Sequence, residues 1–130
     1  MTAWTGSGAV FDTGALIALD RRSREVAAIV DEARRGNARI SIPAGCVGQA
    51  WRDPARQARL ASLLRLSNVD IVALDDAEAR RVGLLLAARR GRDVVDAHVA
   101  IVASRLRQTV VTSDPDDIAR LAPSVRTHRV

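Results

Sequence analysis

Short apolar runs alternate with longer helical patterns along the sequence, and this alternation restricts the possible fold more than any other feature. Residues 9–11, 39–42, 69–74 and 109–112 each have the length and composition of a buried strand. Residues 125–130 have the pattern of a further edge strand. Because helical stretches separate these runs, the sequence predicts a three-layer α/β/α fold with a central, mainly parallel sheet of four to five strands.

Helix-end signals support the helices between these strands. Ser23 is a suitable N-cap for the second helix. Pro54 suits the first turn of a helix that we predict over residues 54–66. Asp75 and Glu78 have the spacing of an N-cap and its N3 partner, and capping accounts for both carboxylates.

The length of 130 residues fits one domain over residues 1–130, and 48% hydrophobic with 27% charged residues is ordinary for a globular protein. The single cysteine, Cys46, excludes an internal disulfide and fits a reducing compartment. We expect a flexible start over residues 1–8, which lack the pattern of a signal peptide. No apolar run reaches the roughly 18 residues of a membrane span, so the sequence predicts a cytoplasmic protein without a membrane partner.

All 20 basic residues are arginine, and they give a net charge of +5. Arginine binds phosphate through two parallel hydrogen bonds, so RNA is one expected partner. A genome that encodes arginine in preference to lysine, with an ordinary solvated surface, explains the same composition equally well. Aromatic residues make up only 2%, which argues against binding by base stacking. The absence of lysine excludes a P-loop.

Two carboxylates, Asp93 and Asp96, open an Ala- and Val-rich helix predicted over residues 93–107. One interpretation is a capping pair, with Asp93 as N-cap and Asp96 at N3. The other is that at least Asp96 points into a divalent-metal site. His98 lies in the apolar part of this helix, and we interpret it as a packed or surface residue rather than a ligand.

Two further acids, Asp12 and Asp114, each come just after a predicted strand. Ligands of parallel sheets bind beyond the carboxyl ends of the strands. If the two strands are neighbours, Asp12, Asp114 and Asp96 meet at one edge of the sheet. Such a cluster is costly unless a cation neutralises it, and carboxylate ligands indicate Mg²⁺ or Mn²⁺ rather than zinc.

The chain resembles PIN-domain ribonucleases, and in particular the VapC-like toxins of VapBC type II toxin–antitoxin systems. The resemblance covers nearly the whole chain, and its motifs are weak singly but fairly specific in their order and spacing. They are FDTGALIAL at residues 11–19, QAWR at 49–52 with RQARL at 56–60, DVVDAHVA at 93–100 and VVTSDPDD at 110–117.

The resemblance implies a metal-dependent endoribonuclease that hydrolyses RNA phosphodiesters with Mg²⁺ or Mn²⁺. It implies that Asp12 and Asp96 are the primary ligands and that Asp114 and Asp93 hold ligands or bound water. Asp117 is an alternative or a supplement to Asp114. The implied partners are the RNA substrate, a small antitoxin and a second copy of the chain in a homodimer.

Gln49 departs from the family pattern, because family members usually have a glutamate at this position. A neutral amide lowers the negative charge of the site, so either Asp93 compensates or the alignment is shifted and Asp53 serves instead. Gln49 also favours a second hypothesis, a catalytically weakened module that binds RNA or antitoxin. A third, Asp12 as a phospho-acceptor, is disfavoured because the chain has no lysine and no second Asp two residues after Asp12.

Small polar and apolar side chains extend this hypothesis. Thr13 and Ser113 either position water or phosphate or serve as ordinary N-cap hydroxyls. The stripe of Leu60, Leu63 and Leu64 between arginines is a candidate antitoxin surface, although core packing explains it equally well.

Overall fold

The computed structural model describes residues 8–130, so the start for which we expected flexibility lies, except for Gly8, outside the described residues. Five parallel strands form one sheet in the order β3-β2-β1-β4-β5. They are β1 (Ala9–Phe11), β2 (Ile40–Pro43), β3 (Val69–Val72), β4 (Thr109–Thr112) and β5 (Thr127–Arg129). The predicted α/β fold with a parallel sheet is therefore confirmed.

Seven helices connect the strands and cover the sheet. The helices α1 to α4 lie between β1 and β3, and α5, α6 and α7 follow later in the chain. Their bounds are α1 (Thr13–Asp20), α2 (Arg24–Arg35), α3 (Ala44–Ala50), α4 (Ala58–Leu64), α5 (Asp76–Arg89), α6 (Val94–Leu106) and α7 (Pro115–Leu121).

Two groups of helices pack on the sheet. Helix α1 contacts α2, α3 and α4 together with β1 and β4, whereas α6 contacts α5 and α7 together with β1, β2 and β4. The largest buried side chains include Phe11, Leu16 and Ile42, and all three are fully buried. Strands buried on both faces explain why the sequence shows continuous apolar runs rather than alternation. Among residues 8–130, no helix combines the length and apolar character that crossing a membrane requires.

The register of β1 and β4 brings the ends of these two strands together. Phe11 pairs with Val111, and both strands run in the same direction. Asp12 therefore leaves the sheet beside Thr112, and the loop that carries Asp114 starts next to it. This adjacency was the condition for the predicted cluster of carboxylates.

Helix α4 begins at Ala58 and not at Pro54, so the predicted start was wrong by four residues. The buried Gln57 side chain accounts for the difference. Its oxygen accepts a hydrogen bond from the Asp53 N–H at 2.9 Å, and its amide donates to the Ala50 carbonyl at 2.8 Å. These bonds stabilise a separate turn before the helix, so the helix begins only after Gln57.

The leucines of α4 belong to the core. Leu60 is 0% and Leu63 is 2% exposed, and Leu64 packs against them from a partly buried position. The candidate antitoxin surface built on this stripe is therefore wrong, because its two central side chains are not accessible to a partner. Core packing was the correct alternative.

Candidate active site

Asp12 is the most constrained of the predicted site residues. It is the N-cap of α1, and its Oδ1 accepts a hydrogen bond from the Ala15 N–H at 3.1 Å. The Thr112 hydroxyl also donates to this carboxylate. Asp12 is only 8% exposed, and burial raises its pKa, with repulsion from Asp114 acting in the same direction.

Thr112 connects the two acids that follow neighbouring strands. Its hydroxyl oxygen accepts a hydrogen bond from the Asp114 N–H at 2.9 Å while its proton is directed to Asp12. Asp114 occupies the N-cap position of α7, yet its side chain makes no capping hydrogen bond and is exposed. The Asp114 carboxylate therefore remains available to a ligand.

Close backbone contact fixes the spacing between these two loops. A Cβ added to Gly14 would lie 2.2 Å from the Ser113 Oγ and 2.9 Å from its Cβ. Only glycine allows the first turn of α1 to approach the β4–α7 loop this closely. The contact holds Asp12 and Asp114 on adjacent segments.

The start of α6 brings the second pair of acids. Asp93 is its N-cap and accepts a hydrogen bond from the Asp96 N–H at 2.9 Å. Asp96 is partly buried, and its pKa is raised to about 6, first by burial and then by the charges of Asp93, Asp12 and Asp114. The two interpretations of this pair are thus compatible, since Asp93 caps the helix while Asp96 faces the other carboxylates.

Helix α3 closes the site from a fourth direction. The Thr13 hydroxyl donates to the Gln49 side-chain oxygen at 2.5 Å, which places Gln49 beside the first turn of α1. The buried Cys46 is also next to Thr13, and burial raises the pKa of its thiol to about 12 although hydrogen bonding with Thr13 acts in the opposite direction. Gly45 would place a Cβ 3.0 Å from Val95, so α3 also abuts the start of α6.

Asp117 lies on the outer side of this cluster. It shares a cavity of about 340 Å³ with Asp93 and Asp96, and it forms an ion pair with Arg120. Arg120 also lowers the pKa of Asp96. Asp117 is therefore already partly neutralised, which makes it a weaker candidate for a metal ligand than Asp114.

The oxygen donors of the cluster fit a hard divalent cation such as Mg²⁺ or Mn²⁺, because they are carboxylates whose charges repel one another. Within residues 8–130, however, no three acidic, histidine or cysteine side chains stand close enough together to hold one ion as they are. Asp53, the alternative to Gln49, forms a turn and an ion pair with Arg56 instead.

A family model for the PIN domain matches residues 9–123. The chain belongs to the PIN-domain family. Members are typically nucleases and usually depend on a metal. The matched range contains every acid that we predicted for the site.

Solved structures show the same fold. The structure of VapBC2 from Rickettsia felis was solved with the proteins bound to a DNA fragment from their promoter. It matches with a TM-score of 0.64 at 15% identity, over 94% of this chain and 98% of that chain. PAE2754 from Pyrobaculum aerophilum matches with a TM-score of 0.62 at 19% identity, over 92% and 89%. No curated protein matches the sequence. At these identities the likeness establishes the PIN fold alone.

Sequence reasoning missed several residues around this PIN-domain site. Thr112 and Cys46 have no sequence signal of their own, although Thr112 ends a buried strand one residue before the predicted loop. The interpretation of Glu78 as only a capping residue was wrong. Its backbone N–H does bind the Asp75 carboxylate, but its own carboxylate is buried against His98 and Arg105.

Proposed function

We propose that this PIN domain is an endoribonuclease that depends on Mg²⁺ or Mn²⁺ and acts as the toxin of a toxin–antitoxin pair. The observation that carries the proposal is the convergence of Asp12, Asp96 and Asp114 from three separate segments at one end of the sheet. Asp96 in particular is partly buried among three other carboxylates, which raises its pKa to about 6. A protein retains such an arrangement at a cost to stability, and a bound cation would offset this cost.

In this proposal Asp12, Asp96, Asp114 and Asp93 hold the cation. When bound, the cation lowers the pKa of a water molecule and neutralises charge on the phosphate. Thr112 and the N–H of Ala15 form hydrogen bonds with the Asp12 carboxylate and so restrict its orientation. Asp93 anchors the helix start that carries Asp96.

Gln49 supports a second candidate, a PIN domain that binds RNA or antitoxin with weakened turnover. Its side-chain oxygen already accepts the Thr13 hydroxyl proton, so this oxygen is less available to a cation than a free carboxylate. The amide also cannot act as a base. Slow or absent cleavage with intact binding would favour this candidate.

The proposed partners follow from the family and not from a surface of this chain. One chain of the VapBC2 structure has the same fold as this chain, and this supports a small antitoxin as partner. We also propose a homodimer, and one PIN-like domain spanning residues 1–130.

Cleavage of transfer and ribosomal RNA fragments by the antitoxin-free protein tests the nuclease proposal. Reactions with Mg²⁺, Mn²⁺ or EDTA are compared for the wild type, Asp12→Asn and Asp96→Asn, and the circular dichroism spectrum checks that each variant is folded. We expect cleavage only with a divalent cation, and a loss of about 100-fold or more in each variant because a ligand is removed. Asp53→Asn is the matched control, since this exposed acid forms a turn outside the cluster.

Cleavage in EDTA, or wild-type cleavage by Asp96→Asn, would contradict the nuclease proposal. Tight RNA binding without cleavage under any of the metal conditions would instead support the binding module.

A further inference from the structure

A cavity of about 340 Å³ adjoins the carboxylate cluster and is lined by four arginines. Its walls come from the end of α5, the start of α6 and the middle of α7, and they include Asp93 and Asp96. The four arginines are Arg89, Arg90, Arg92 and Arg120, and all four are exposed. We call this feature the arginine cavity.

Three of these guanidinium groups have no acidic partner. Arg120 pairs with Asp117, whereas Arg89, Arg90 and Arg92 form no ion pair with any carboxylate in the part of the chain that the structure describes. Their hydrogen-bond donors are therefore free to bind an anion. A guanidinium offers two parallel N–H groups that match two oxygens of a phosphate.

Helix-end electrostatics explain only part of this arrangement. Arg89 lies in the last turn of α5 and Arg90 is its C-cap, where a positive charge interacts favourably with the helix dipole. Arg92 lies outside both helices, and Arg120 comes from α7. Positive side chains from three separate segments thus line one cavity, which the end of a single helix does not account for.

We propose that the arginine cavity binds a phosphate of the RNA backbone next to the phosphate that is cleaved. This inference rests on the proposed function, since it takes RNA as the substrate. The cavity and the carboxylate cluster share Asp93 and Asp96. Neighbouring phosphates of one RNA strand can therefore occupy the cavity and the cluster at the same time. An acidic peptide offers carboxylates to the arginines but has no phosphodiester for the carboxylate cluster to act on.

Binding of a fluorescent single-stranded RNA oligonucleotide in EDTA tests the inference without any turnover. The test variant is Arg90→Gln/Arg92→Gln, measured over a series of salt concentrations. We expect its affinity to fall about tenfold or more at low salt, and the slope of log affinity against log salt to decrease by about 1, because one phosphate contact is lost.

The chain supplies a matched control at the opposite end of the strands, where β4 and β5 begin. Arg107 is the C-cap of α6 with φ 54°, as Arg90 is for α5, and with Arg126 it lines another cavity. Both are exposed and neither forms an ion pair among residues 8–130. Arg107→Gln/Arg126→Gln removes the same charge, and we expect its affinity to fall less than about twofold.

Equal loss of affinity in the two double variants would overturn the inference, because binding would then depend on net charge alone. Failure of the wild type to bind the RNA in EDTA at low salt would also overturn it. Displacement of the RNA by polyglutamate as effective as by unlabelled RNA would assign the cavity to acidic peptides instead. Each result is independent of the cleavage assay, so the nuclease proposal stands or falls separately.

Discussion

Helix α6 takes part in two acidic regions that differ in how their charges are balanced. At the start of α6, Asp96 faces Asp12, Asp93 and Asp114, and burial with these charges raises its pKa to about 6. Two residues further along, His98 contacts Glu78 from α5, and the pKa of the Glu78 carboxyl is lowered to about 2, chiefly by hydrogen bonding with Arg105. Two residues of one helix thus belong to opposite electrostatic environments.

The Glu78 cluster is complete within the chain. Arg105 donates to both carboxylate oxygens at 2.9 Å, Arg81 donates at 2.9 Å, and the His98 Nε2 lies 3.1 Å from the Oε1. At Asp96, Arg120 lowers the pKa, but burial and the charges of Asp93, Asp12 and Asp114 outweigh it. Removing a buried acid from a set of partners leaves those partners uncompensated and destabilises the fold, whereas an acid that faces other acids is a candidate for ligand binding.

The largest expected effect on stability comes from breaking the Glu78 cluster. Glu78→Gln leaves the buried cluster without its negative charge, and we expect the free energy of unfolding in urea to fall by about 3 kcal/mol. Because the pKa of Glu78 is lowered from 4.5 to about 2, its contribution is present above about pH 4.5 and is lost as the pH falls towards 2.

Asp76→Asn on the same helix is the control, since its ion pair with Arg80 is exposed and should contribute less than about 1 kcal/mol. An equal, small effect of both variants would show that the Glu78 cluster does not stabilise the contact between α5 and α6.

Sequence reasoning predicted the sheet and the carboxylate cluster because both follow from local patterns and chain direction. Asp12 and Asp114 each follow a parallel strand, so they lie at the same end of the sheet if the two strands are neighbours. The strands β1 and β4 are neighbours. The roles of Asp12, Asp93, Asp96 and Asp114 in catalysis or metal binding remain predictions.

The partners of Glu78 were not predictable in the same way. His98 and Arg105 lie 20 and 27 residues further along the chain, and only the packing of α5 against α6 brings them to the carboxylate. Similarly, the start of α4 was wrong because Gln57 bonds to backbone groups of the preceding turn. Long-range side-chain contacts of this kind have no signature in local sequence spacing.

Substitution of Asp96 should change the free energy of unfolding by less than Glu78→Gln does, and in the opposite direction. The ionised carboxylate disfavours the folded state, since its pKa of about 6 in the folded protein exceeds the ordinary aspartate pKa of 3.8. Wild-type stability in EDTA should therefore decrease as the pH rises from about 4 to about 6. Above pH 7, Asp96→Asn should unfold with a free energy about 1 kcal/mol higher than the wild type, after allowance for solvent screening.

The gain should disappear below pH 4, where the wild-type carboxyl is protonated. Addition of Mn²⁺ should raise the unfolding temperature of the wild type more than that of Asp96→Asn. A variant that is less stable than the wild type at pH 7 in EDTA would mean that Asp96 has a structural role like that of Glu78.

The smallest effect on stability is expected at Gln49, where an added negative charge tests how the carboxylate cluster differs from the Glu78 cluster. Gln49→Glu places a further acid beside Thr13 at the edge of the carboxylate cluster, on an exposed side chain. Its stability in EDTA should fall by no more than about 0.5 kcal/mol, because solvent screens an exposed charge. Calorimetric titration with Mn²⁺ should show severalfold tighter binding than in the wild type, since an anionic oxygen replaces an amide at the edge of the cluster.

Asp53→Glu lengthens an exposed acid outside the cluster without adding charge, and should leave Mn²⁺ binding unchanged. Unchanged Mn²⁺ binding in Gln49→Glu as well would remove position 49 from the site and leave Asp93 as the acid that completes it.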